Sequence, residues 1–171
     1  MHTLFVALPN RTTVAMRRVE KSVPVTKVKA RLELEAGIPS HVYVMFFGES
    51  QLNDDDVIEF QAGIKNGAVI RLCIKEEWKD LYMAVINEDS DEVLELCKYK
   101  HTNCSELEEE LEQSGHGPSQ VTVLDADKAT IALFVSSFNG YLCTVKKLVN
   151  LAGRDIVLNH CNVCLMIVYC I

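Results

Sequence analysis

The side chains best suited to chemistry in this chain of 171 residues are its thiols. Seven cysteines occur at irregular spacing, and the final stretch VLNHCNVCLMIVYCI (157–171) gathers His160, Cys161, Cys164 and Cys170. Zinc needs a closed set of such ligands, normally two Cys/His pairs. One Cys-x-x-Cys stands here without a second pair, and nothing fixes the spacing of Cys143 or Cys170 to complete it. The thiols are therefore expected to behave as small hydrophobes, with no metal site and no cofactor. Carboxylates cluster at 54–56 and 106–112, but as charge runs in loops they are expected to be solvated. There is no phosphate loop, nucleophile elbow or metal-binding helix motif. The expectation is a protein that is not an enzyme, with no catalytic residue to assign.

The totals narrow the partners. Net charge is −7, with 49% apolar and 24% charged residues, ordinary for a globular chain. No basic stripe with interleaved aromatics points to nucleic acid. MHTLFVALPN lacks the basic start of a secretory leader, so the expected compartment is cytoplasmic or nuclear, not secreted. The tail, interrupted by Asn159, His160 and Asn162, is too short for a membrane span. Residues 1–79 carry 11 Lys/Arg against 10 Asp/Glu, whereas 80–171 carry 6 against 14. That shift puts a boundary near KEEWKD, where Trp78 is expected to be a core residue locking two domains together.

The elements of the first part follow from periodicity and turn residues. TLFVAL (3–8) and TVAMRRV (13–19) read as strands around the turn PNRT. In SVPVTKVKARLELEAGIP, Ser22 is a candidate helix N-cap with Pro24 in the first turn. Val25, Val28 and Leu32 form its apolar face, and Gly37 with Pro39 ends it. HVYVMFFGE, the loop SQLNDDD and NGAVIRLCIK supply further strands. In order, TLFVAL, VTKVKARL, GIP, YVMFFGESQLND and GIKNGAVIRLCIK resemble a ubiquitin-like domain over about residues 2–75. The resemblance implies a β-grasp fold for 1–76. The last strand runs into KEEWKD rather than an exposed Gly-Gly, so covalent tagging is excluded.

Pleat parity assigns a surface. If Val42, Val44 and Phe46 face the helix, Tyr43, Met45 and Phe47 face away. On the closing strand Ile70, Leu72 and Ile74 face in and Arg71 and Cys73 out. The resemblance places Tyr43, Met45, Phe47, Arg71 and Cys73 on the sheet face that such domains offer to protein partners. An alternative is that the second domain covers it.

The second part contains a repeat. DLYMAVINEDSDEVLELC (80–97) matches ALFVSSFNGYLCTVKKLV (132–149) at a shift of 52, pairing Leu81 with Leu133, Tyr82 with Phe134, Ala84 with Ser136, Val93 with Val145 and Leu96 with Leu148. Each copy reads as helix, tight turn, helix. IALFVSSFNGYLCTVKKLVNLAGRD (131–155) resembles an ankyrin repeat, with Ile131 and Ala132 in place of Thr-Pro and Phe134 in place of His. The first copy has Glu88 where the second has Gly140. The resulting organisation is a degenerate ankyrin-like helix pair at 77–100, an acidic, partly disordered insert at 101–129, an ankyrin-like repeat at 130–156 and an apolar irregular tail at 157–171. The fold class is α+β.

This combination resembles the ankyrin repeat and ubiquitin domain-containing protein family. It implies a non-catalytic protein–protein interaction adaptor whose partners include ubiquitin-pathway components. The alternatives are a cysteine-based redox or zinc-binding protein using the C-terminal Cys cluster, and a truncated isoform without independent function.

Overall fold

The computed structural model describes residues 1–58, 63–98 and 125–158. The chain runs β1 (His2–Ala7), β2 (Thr13–Val19), α1 (Val25–Ala36), a 3-10 turn (Ser40–Val42), β3 (Tyr43–Phe47), β4 (Ser50–Gln51) and β5 (Val69–Ile74). Among the described residues four helices follow: α2 (Glu76–Ile86), α3 (Ser90–Cys97), α4 (Ala126–Asn139) and α5 (Leu142–Leu158). The five strands form one mixed sheet in the order β2-β1-β5-β3-β4, in which β1 and β5 are parallel and the other pairs antiparallel. The architecture is α+β, and the start of the chain is consistent with a β-grasp.

Helix α1 buries Val25, Val28 and Leu32 against Leu4, Val6, Met16 and Ile70. Each such side chain contributes about 1.5–3 kcal/mol by leaving water. Its start differs from the expectation at Ser22. The N-cap position is Pro24, which offers no capping side chain. Loop carbonyls do the work instead: Val25 N–H donates to Asp56 O at 2.9 Å and Thr26 N–H to Asp54 O at 3.1 Å. The acidic loop is thus also a cap, satisfying donors a helix start leaves open. Gly37 ends α1 at φ 64, a left-handed conformation that suits glycine.

The parity of β3 is the reverse of that expected. Tyr43 and Met45 are fully buried on the α1 side, and Val44 and Phe46 point the other way. The cause is the 3-10 turn. Val42 is buried from within that turn, so it does not belong to the strand's alternation, which begins at Tyr43. The pairing agrees: Met45 opposes Leu72 and Tyr43 opposes Ile74, putting the inward residues of both strands together.

Among the described residues the helices form two hairpins, α2–α3 and α4–α5. Asp125 N–H donates to Cys97 O at 2.7 Å, so α4 starts where α3 stops. Asp125 then caps α4, its carboxylate accepting from the N–H groups of Asp127 and Lys128. Residues 126–129, expected within the acidic insert, are therefore the first turn of α4, with Ala129 buried. The remainder of the expected insert beyond Lys98 and the tail after Leu158 lie outside the described residues.

The 52-residue repeat is present in the backbone. Glu88 N–H donates to Val85 O, Asp89 N–H to Ala84 O and Val93 N–H to Asp89 O. Fifty-two residues on, Gly140 N–H donates to Ser137 O, Tyr141 N–H to Ser136 O and Val145 N–H to Tyr141 O. Glu88 and Gly140 share a left-handed conformation, φ 58 and φ 75.

Among the described residues, the contacts between the two parts include one at Trp78 and one at Gly37. Trp78 is half-buried, packs against the edge of the core and stands edge-on to His41 with ring centroids 6.2 Å apart. At Gly37, a Cβ would overlap the ring of Phe138 from the end of α4. Glycine is therefore required there by contact as well as by φ.

Candidate interaction surface

The outer face of the sheet is built from alternate residues of three neighbouring strands. Register places Phe5 beside Val69, Val44 beside Cys73, and Phe46 beside Arg71. Phe5 is 36% exposed and Val69 58% exposed, large for residues of their type on paired strands. The Arg71 guanidinium lies over the Phe46 ring, 5.3 Å from its centroid. At an exposed site such a pair contributes about 0.5–1 kcal/mol and holds the arginine flat against the sheet. The result is an apolar surface with one fixed cation, able to bury against a partner and pair with one of its acids.

Of the five residues expected on this face, Arg71 and Cys73 are there, Arg71 exposed and Cys73 half-buried. Tyr43, Met45 and Phe47 are not. Met45 is in the core. The Tyr43 hydroxyl donates to Lys29 O at 3.3 Å, and burial, with the charges of Glu33 and Asp54 behind it, pushes the phenol above its ordinary value. Phe47 is half-buried and packs against the core. Their places on the outer face are taken by Val44 and Phe46. The signal for these was the same alternation, read from the wrong first residue.

One other cluster has the residue types of a catalytic site. Lys147 Nζ donates to Ser90 Oγ at 2.8 Å, and Cys143 Sγ lies 3.7 Å from the same oxygen. A serine–lysine pair works when the amine is neutral and accepts the hydroxyl proton. Here Lys147 also pairs with Asp91 at 2.6 Å, and that hydrogen bond raises its pKa. The ammonium stays protonated, so it ties α3 to α5 rather than acting as a base. Cys143 is exposed and Cys97 buried. Among the described residues, no three His, Cys, Asp or Glu side chains converge to hold a metal ion. His160, Cys161, Cys164 and Cys170 lie outside the described residues. No helix among the described residues is long and apolar enough to cross a membrane.

No protein-family model and no curated protein matches this chain.

Proposed function

We propose that this chain is a non-catalytic interaction protein, in which a ubiquitin-like unit and ankyrin-type helical hairpins each present a binding surface. The observation that carries the reading is the outer sheet face, where Phe5, Val44, Phe46 and Val69 surround the Arg71–Phe46 stack. Large apolar side chains grouped around a cation fit a protein partner better than solvent. The strand order and the helix on one face support the ubiquitin-like part. The superimposable turns at Glu88 and Gly140 support the repeat part. Partners are proposed among ubiquitin-pathway components, reached through the sheet face.

The test is titration calorimetry of the full chain against a panel of purified ubiquitin-recognition domains. Wild type should bind at least one of them. Phe46→Asp should weaken that binding by about 2 kcal/mol or more while the chain still unfolds cooperatively, its melting temperature lowered only by the loss of the Arg71 stack. Binding that survives Phe46→Asp would mean this face is not the contact.

A further inference from the structure

Strand β2 is one edge of the sheet, and a groove runs between it and α1, on the side opposite the sheet's outer face. Met16, Val19 and Val28 are buried beneath it, and half-buried Val23 and Pro24 present apolar surface within it. Arg18 stands on the β2 wall and Lys27 on the α1 wall, both exposed. Neither makes an ion pair among the described residues, and Glu20 is the one acid lining the groove there. Arg18 reaches this position by an irregularity. The β1–β2 register shifts between His2 and Leu4, so β2 accommodates one extra residue. Met16 and Val19 both stay buried, and Arg17 and Arg18 are both exposed between them. Arg18 is left at φ 58, which is unfavourable for a side chain with a Cβ. Bulges re-aim side chains, and strain kept at one residue is grounds for a role other than stability. A third cation, Arg31, is already engaged by its bonds to Glu35 and to Arg17 O, both 2.6 Å.

We infer that this groove binds a segment of a partner protein in which apolar residues are flanked by carboxylates, held through its side chains. Charge complementarity selects the acids. Arg18 and Lys27 stand on opposite walls without an internal partner, so each is open to a separate carboxylate. A bare anion such as phosphate is held best by donors converging on one point, as in a bidentate arginine pair. Here Arg31 is already committed, the two remaining cations are on different elements, and a bare anion leaves the Val23–Pro24 surface uncovered. An apolar side chain of the partner covers that surface and gains from leaving water. The partner's backbone does not extend the sheet at this point. The bulge interrupts the edge, and Arg31 already occupies the Arg17 carbonyl that an added strand would use. Because its charges are exposed, the contact weakens with salt.

Fluorescence anisotropy of the full chain at low salt tests this with a short fluorescein-labelled peptide in which two leucines are flanked by glutamates. That peptide should bind, and its counterparts with glutamine for glutamate or with serine for leucine should bind markedly less. Arg18→Gly and Lys27→Gln should each weaken binding by about threefold, and the double variant by about tenfold, as expected for exposed ion pairs. Lys65→Gln, at an exposed lysine away from the groove, should leave binding unchanged. Glycine suits the left-handed φ at position 18, so Arg18→Gly removes the charge without endangering the fold, and a melting temperature no lower than that of the wild type verifies this. Absence of binding at low salt overturns the proposal, as does binding that survives the double variant. Equal binding of the serine-for-leucine peptide overturns the apolar half of the argument. Complete displacement of the peptide by an equal concentration of inorganic phosphate overturns it too, because the groove is then a simple anion site.

Discussion

The two helical hairpins solve one turn with different residues. In the second, Gly140 takes the left-handed position at no steric cost, but Tyr141 after it has no capping side chain suited to a helix start. In the first, Glu88 takes the same conformation against its Cβ, and Asp89 caps α3 by accepting from Glu92 N–H at 3.0 Å. Each hairpin thus holds one half of a good turn. The backbone hydrogen bonds are the same in both, so the conformation is imposed by the packing of the helices rather than by the turn residues.

The largest expected effect separates the hairpins by burial. Leu148→Ala on α5 should cost about 2–5 kcal/mol, because Leu148 is 1% exposed and leaves a cavity. Leu96→Ala, its counterpart in the first hairpin, should cost less because Leu96 is only half-buried. Chemical denaturation of both variants measures the difference, and equal losses would break the comparison. Gly140→Ala should destabilise by about 1–2 kcal/mol, the usual penalty for a Cβ in left-handed backbone. Asp89→Ala should cost about 1 kcal/mol through loss of the cap, seen in the same assay. Glu88→Gly should stabilise by about 0.5–1 kcal/mol, the relief of left-handed strain less the added flexibility of the unfolded chain. If Glu88→Gly destabilises, the strain argument at that turn fails. Smallest in energy is a difference in thiol reactivity. Burial, opposed by Lys128 and aided by Asp125, pushes the Cys97 thiol up to about 12. Its native-state stability contribution is present below the ordinary thiol range and falls as pH rises toward 12. At pH 8 a maleimide should therefore label exposed Cys143 well before Cys97, and simultaneous labelling would indicate local opening of the first hairpin.

The sheet shows what limited the reading of the surface. Strand β2 (Thr13–Val19) falls where its residues predict, as do the apolar face of α1 and its glycine terminus. Arg71 and Cys73 face outward because β5 is a simple alternating strand entered without irregularity. Strand β3 is entered through a 3-10 turn, and one misplaced residue inverts every side chain after it. YVMFF is apolar throughout, so its composition could not reveal which half was inside.

The sequence by itself determined the local elements, the 52-residue repeat and the charge division between the two parts, because periodicity, turn residues and charge are properties of neighbours along the chain. Tertiary structure decided the parity of β3, the cap on α1 from the loop carbonyls at Asp54 and Asp56, the bulge that exposes Arg18, and the seating of Phe138 on Gly37. Each of these depends on where a distant segment arrives: a carbonyl satisfying an open N–H, or a ring occupying the space of an absent Cβ. Such partners leave no mark in the spacing of the residues they meet.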